Sequence, residues 1–224
     1  MRSDAVRNRD RILQVGRELF LARGSQVPME EIAEAAGVGV GTLYRHFPDR
    51  FALLKAVAIR NMGRVVAEVE AAMAEEPDGR RCLARVLRRI YELRLGDPVP
   101  ILLPHLLEGA RDDTEFQEAR RHAARAVGTT LDRAKAEGAV RPDLTVADLL
   151  TLATARPQPT AILSGPAAER LNARYLQIVL DGLRPHAESE SMAPAVSEAE
   201  LEAHFTGADP ESRQSEALRR NKTL

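Results

Sequence analysis

Residues 28–47 read PMEEIAEAAGVGVGTLYRHF. Pro28 is tolerated in the first turn of a helix, Ile32, Ala33 and Ala36 fall on its inner side, and Gly37 ends it. A second short helix is expected from about Val40 to His46, anchored by Leu43 and Phe47. Two short helices around a glycine turn predict a helix-turn-helix, because neither buries its apolar side alone. Gly37 can take the left-handed conformation the turn needs, and Val38 can plug the space between the helices. The second helix carries Thr42, Tyr44, Arg45 and His46 within two turns. Such a helix fits the major groove of B-DNA with its N-terminal residues at base edges.

Around this stretch nearly every periodic segment reads as helix, and none reads as strand. Upstream, Ile12, Val15, Leu19 and Phe20 predict a helix over 7–24 that stops at Gly24. Downstream, Pro48-Asp49 opens a long helix to about Glu75 with the stripe Leu54, Ala58, Met62, Val65, Val69 and Met73. After the Pro77-Asp78-Gly79 turn, helices are expected over Arg81–Leu95, Pro98 to about Arg111, and Thr114–Glu137. Thr114 is the expected cap of the last of these, and Gly138 its stop. Thr145 caps an eighth helix over about 145–165, interrupted by Pro157 and Pro159, and a ninth spans about 166–184. The expected fold is all-α with about nine helices. Its parts are a helix-turn-helix domain (1–47), a helical regulatory and dimerisation domain (48–185), and a flexible tail (186–224) rich in Glu, Ser, Ala, Pro and Gly.

Composition narrows the function classes. Of 224 residues, 44% are hydrophobic but only 4% aromatic, so the core must be built from Ala, Leu, Val and Ile. A single cysteine, Cys82, excludes a disulfide framework and a cysteine zinc cluster; it reads as a packed side chain rather than a redox sensor, despite Arg80 and Arg81 beside it. No apolar run approaches the ~20 residues that span a bilayer, and the N-terminus lacks a signal peptide's apolar stretch. A cytoplasmic protein without cofactor or membrane partner is the expectation. Net charge is −1, yet residues 1–60 hold ten Lys and Arg against seven Asp and Glu. That local excess marks a phosphate-facing surface rather than a basic protein.

Taken in order, Ile12, Leu19-Phe20, Gly24, Ile32-Ala33, Ala36-Gly37-Val38, Gly41-Thr42-Leu43-Tyr44, His46-Phe47 and Leu53-Leu54 resemble the DNA-binding domain of the TetR family of bacterial transcriptional regulators. The resemblance covers about Arg7 to Val57; beyond it, only all-helical character and length agree. It implies a homodimer that binds a palindromic operator as double-stranded DNA and carries a small-molecule effector pocket in its C-terminal domain. By the same resemblance Thr42 and Tyr44 touch bases or phosphates, and Val40 and Gly41 set base preference. Arg45 occupies a variable readout position, where an Arg pairs with guanine. Arg50 and Lys55 are assigned to phosphates at the start of the fourth helix. His46 fits a phosphate contact and a solvated or capping histidine equally. Three positions depart from the family: Gly39 and Pro28 where Ser and Thr or Ser are common, and Gly16 where Ala is common.

Polar residues in otherwise apolar helices, Tyr91, His105, His122, Thr130 and Thr151, are the candidates for the effector pocket. Leu171, Tyr175, Ile178, Val179 and Leu183 are the candidates for the dimer seam. Arg7, Arg9 and Arg11 read as a solvated N-terminal face in preference to an arm over DNA. The reading from another class is a helical enzyme or metal-binding bundle, since His105/Glu108 and Glu118/His122 each share a helix face. It lacks the Glu-x-x-His pairs such bundles use, and no nucleophile or phosphate-loop motif accompanies it.

Overall fold

The structure, a computed structural model, describes residues 2–24, 26–95, 112–154, 165–186, 192–197, 200 and 203. Among them all regular structure is helical: α1 (Arg2–Arg23), α2 (Met29–Ala35), α3 (Val40–His46), α4 (Arg50–Glu75), α5 (Gly79–Leu95), α6 (Thr114–Ala136), α7 (Val146–Thr154) and α8 (Gly165–Gly182). The helix expected from Pro98 to Arg111, the stretch around Pro157 and Pro159, and most of the tail lie outside the described residues.

Local chemistry sets the helix ends. Gly37 takes φ +62° after α2, and the Val38 N–H folds back onto the Ala33 carbonyl at 3.0 Å. Asp49 caps α4 by accepting from the Ala52 N–H at 2.7 Å. At α6 the expectation of a Thr114 cap is corrected. Asp113 is the cap, accepting from the Phe116 N–H at 2.9 Å, and Thr114 is the first helical residue. A carboxylate there also meets the positive end of the helix dipole. Thr145 and Asp148 form a reciprocal capping box at α7: the Asp148 N–H donates to Thr145 Oγ1 at 3.2 Å and the Thr145 N–H to Asp148 Oδ2 at 2.7 Å.

Two apolar cores result, and α4 runs through both. The first joins Ile12 and Phe20 of α1, Ile32 and Ala33 of α2, Leu43 of α3 and Phe47 to Leu53, Leu54, Val57 and Ala58 of α4. It also takes in Phe116 of α6, so it is not closed at Phe47. The second gathers Val69 and Ala72 of α4, Cys82, Leu83, Val86 and Ile90 of α5, Val127 and Leu131 of α6, and Leu149 of α7. Of the α4 stripe, Leu54, Ala58 and Val69 are buried and Met62 and Val65 half-buried, while Met73 is exposed. Gly16 permits a close approach, since a Cβ there would sit 3.3 Å from a Leu53 methyl.

Contacts at both ends make α4 and α6 parallel. Lys55 meets Asp113 near their starts, and the Arg133 guanidinium donates to the Met73 and Glu76 carbonyls at their ends, at 3.3 and 3.1 Å. Arg85 of α5 pairs with Glu68, Glu75 and Glu76, tying α5 back to α4. Cys82 is fully buried and burial pushes its thiol pKa upward, as a packed side chain requires. In the tail, the Met192 N–H donates to Asp143 at 3.4 Å.

The α5–α6 crossing depends on Gly79, where a Cβ would lie 2.7 Å from the Ala134 backbone nitrogen. Gly79→Ala is expected to destabilise by about 1–3 kcal/mol through overpacking. Gly63, exposed in α4 with nothing within 4 Å of its Cβ direction, behaves oppositely. Gly63→Ala is expected to stabilise by about 0.4–1 kcal/mol. Urea denaturation of the two variants checks the opposite signs.

Candidate nucleic-acid interface

The α2–α3 pair presents one side to its own core and the other to solvent. Leu43 is fully buried, and Phe47, the C-cap of α3, is nearly so. Val40 (41% exposed), Gly41, Tyr44 (39%) and Arg45 form the outer stripe, at the spacing that puts residues on one helix face. Thr42 and His46 lie half-buried at its edges. Gly39, in extended conformation, caps α3 through its carbonyl alone, which accepts from the Thr42 N–H at 2.8 Å.

Hydrogen bonds orient the outer side chains. Arg45 donates to Thr42 Oγ1 at 2.9 Å, one turn earlier on the same helix. The Tyr44 hydroxyl donates to Glu30 of α2 at 3.2 Å. That carboxylate raises the hydroxyl's pKa, so Tyr44 stays a neutral donor. Arg50 donates to the Val27 carbonyl at 2.6 Å, just ahead of α2.

Lys55, assigned to a phosphate by the resemblance, is paired within the protein in this structure. Its ammonium lies 2.8 Å from Asp113 and 3.1 Å from Glu115, at the start of α6. Two carboxylates balance the charge of this half-buried ammonium, and the pair joins α4 to the start of α6. The hydrogen bond from Lys55 holds the Asp113 carboxyl below its ordinary 3.8, and Asp113 in turn raises the Lys55 pKa. The pair therefore stabilises between those limits. Its contribution fades as pH falls through the lowered Asp113 value, and again as pH rises through the raised Lys55 value.

A second feature is a narrow apolar cavity lined by Leu87 and Tyr91 of α5, Leu149 and Leu152 of α7, and Tyr175, Leu176 and Val179 of α8. The Tyr91 and Tyr175 rings stack at 5.8 Å between centroids. The Tyr91 hydroxyl donates to the buried Asn172 at 3.2 Å, and the Tyr175 hydroxyl to the Leu152 carbonyl at 3.4 Å.

Of the residues expected at the effector pocket, Tyr91 lines this cavity. Thr130 is buried elsewhere and spends its hydroxyl on the Val127 carbonyl of its own helix, at 2.8 Å. His122 and Thr151 are exposed, and His105 lies outside the described residues. The expected dimer residues divide by the phase of α8. Asn172, Tyr175, Leu176 and Val179 turn inward, and Leu183, just past the helix end, is buried in the second core. Tyr175 and Val179 are half-buried against this cavity, and Leu183 is buried in the second core. Leu171 (44% exposed) and Ile178 (66%) face outward. Asn172, missed in the sequence, was legible as the one polar residue on the inward Asn172–Leu176–Val179 phase. Glu30, fourteen residues from Tyr44, had no such signal.

Comparison with known proteins covers both halves of the chain. Residues 12–57 match the family described as bacterial regulatory proteins, tetR family, and residues 80–185 match the transcriptional regulator SbtR-like C-terminal domain. The chain is similar to the TetR transcriptional regulator SCO0520 of Streptomyces coelicolor, with 30% identity over 80% of this chain and 99% of that one, at a TM-score of 0.59. Similarity to a TetR transcription regulatory protein of Mycobacterium vanbaalenii is of the same order: 32% identity, 82% and 99% coverage, TM-score 0.57. This chain belongs to the TetR family of bacterial regulatory proteins.

Like other TetR-family chains it is a transcriptional regulator with a DNA-binding helix-turn-helix. Among curated relatives, the HTH-type transcriptional regulator SAB2452 of Staphylococcus aureus is 39% identical over 69 residues. That match spans 30% of this chain and 37% of the relative's length. No described helix is long and apolar enough to cross a membrane, and no group of three or more His, Cys, Asp or Glu among the described residues is placed to hold a metal ion.

The Lys55–Asp113 pair is open to direct test. Asp113→Asn keeps an oxygen for the Phe116 N–H but removes the charge. It is expected to cost about 0.5–1.5 kcal/mol at neutral pH. The deficit relative to the unsubstituted chain should begin to shrink only below pH 3.8, where the unfolded chain's Asp113 takes up its proton, and close as the lowered native carboxyl is protonated too. Thermal melting across an acid pH series reads this out.

Proposed function

We propose that the chain acts as a homodimeric repressor that grips a palindromic operator with its two α3 helices and is released by a small-molecule effector. The outward stripe of α3 carries this reading. Its apolar anchors are spent in the core, leaving Val40, Gly41, Tyr44 and Arg45 outside, with nothing among the described residues to cover them as a group. In the bound state Arg45 swings from Thr42 to a guanine edge, and Val40 and Gly41 allow methyl contact and close backbone approach. Thr42, Tyr44, His46 and Arg50 position the helix on phosphates. The DNA-reading unit is α1–α3 with the first turns of α4 as its floor, and the remainder to residue 185 regulates and dimerises.

The outward α8 residues Leu171 and Ile178, seven apart on one stripe, supply the dimer face. The effector enters between α5, α7 and α8. Because both tyrosine hydroxyls and Asn172 are already hydrogen-bonded, the cavity favours an apolar molecule that slips between the Tyr91 and Tyr175 rings. Displacement of α5 is carried to the DNA-reading unit through α4 and α6, which share both cores. Operator half-sites lie about one turn, ~34 Å, apart, so a shift of a few ångströms in α3 separation breaks simultaneous docking.

The test is fluorescence anisotropy with duplexes drawn from the DNA flanking the chain's own gene. A dimer should bind with log K falling against log salt at a slope near about −5, from roughly three phosphates per subunit. Arg45→Ala should cost about 1–3 kcal/mol at one base pair, while Tyr44→Phe weakens cognate and scrambled duplexes alike. Ile178→Glu should give a monomer by light scattering that retains its helical circular dichroism and loses operator affinity. A wild-type monomer, or binding indifferent to sequence and salt, rejects the proposal.

A further inference from the structure

The cations of the DNA-reading unit are mostly committed within the protein. Arg23 pairs with Glu31, Arg60 with Asp10 and Lys55 with Asp113, while Arg50 is held on the Val27 carbonyl and Arg45 on Thr42. On the first turns of α1, Arg7 lies on Asp4 and Arg11 on Asn8. Arg9, between them in sequence, is different. It is exposed, and its guanidinium carbon stands 5.4 Å from the centroid of the Phe47 ring. Among the described residues no carboxylate or hydrogen-bond acceptor engages it.

Phe47 is a fixed platform. It is 2% exposed, caps the C-terminal end of α3 and lies 6.3 Å from the His46 ring. A guanidinium held over such a ring is kept in place while its N–H groups remain available to another partner. That geometry is open to two parallel hydrogen bonds with one phosphate. The recognition helix has seven residues and is about 10 Å long, close to the ~12 Å width of the major groove. With its N-terminal residues at the bases, its C-terminal end lies against a wall of the groove, which is made of phosphates.

We propose that Arg9 of α1, stacked on Phe47, is a phosphate clamp that fixes the C-terminal end of α3 against the DNA backbone. This rests on the reading of α3 as the groove-entering helix. Arg9 thereby differs from Arg7 and Arg11, whose partners keep them on the surface of α1. The clamp positions the helix and carries no sequence preference.

The test uses the full chain with Arg9→Gln, Arg9→Ala and Arg9→Lys, titrated with cognate and scrambled duplexes over a salt series and melted in parallel. Arg9→Gln and Arg9→Ala should weaken both duplexes by the same factor, about fivefold to tenfold. They should also flatten the salt slope by about 2 for a dimer, one phosphate per subunit. Arg9→Lys keeps the charge and should keep the slope while losing part of the affinity. Melting temperatures should be unchanged. Unchanged affinity and slope on a wild-type protein that does bind DNA overturns the clamp alone. A lower melting temperature with an unchanged slope overturns it too, by making the stack purely structural. Loss confined to the cognate duplex reassigns Arg9 to base readout. If the wild-type chain binds no duplex, the reading of α3 fails first and the clamp with it.

Discussion

The rest of the molecule depends on α4 belonging to two cores at once. Its first turns, through Ala58, close the floor under α1–α3, and its last turns, from Val69, pack on α5 and α6. α6 makes the same double commitment in parallel, with Phe116 in the first core and Val127 and Leu131 in the second. Neither helix can move in one core without disturbing the other, because packed interiors shift between discrete arrangements rather than deforming continuously. Between the two apolar stretches of α4 sits Asn61, buried, with neither amide atom hydrogen-bonded. An unsatisfied amide costs about 1–3 kcal/mol. That cost falls on α4 between its two apolar stretches.

The same arrangement explains the disposition of charge. A DNA-binding unit needs cations, but it also needs to be joined to the rest of the chain. Lys55 serves the join, since the start of α6 brings Asp113 and Glu115 to it. Asp113 works twice, as helix cap and as ion-pair partner, so the register of α6 and its attachment to α4 are set together. The outer stripe of α3 stays exposed, and the Arg9 guanidinium lies over the Phe47 ring.

In the C-terminal half the decisive constraint is the rotation of α8. Turning Asn172, Tyr175, Leu176 and Val179 inward builds the cavity wall and leaves Leu171 and Ile178 outside. Both faces of that helix carry large apolar side chains. An interior wall and an exposed apolar face are thus made from residues of the same kind, a few positions apart.

By itself the sequence determined the helical class, the helix-turn-helix and the positions of its turns. Those depend on local chemistry: the left-handed Gly37, the Asp49 cap and the four-residue spacing of Leu43 and Phe47 act within a few residues of themselves. It also marked the outer stripe of α3, because one face of so short a helix is used up by its anchors. Only the tertiary structure decided where the long-range partners fall. Lys55 finds Asp113 across 58 residues, Tyr91 finds Asn172 across 81, and Arg9 finds Phe47 on another helix. A lysine looks the same in sequence whether it will face a phosphate or a carboxylate on a helix not yet folded against it. An apolar stripe likewise does not say which of two partners it will bury against. Those choices are made when α4 and α6 dock in parallel and α8 settles its rotation, since only then do distance and burial assign each charge and each apolar face its neighbour.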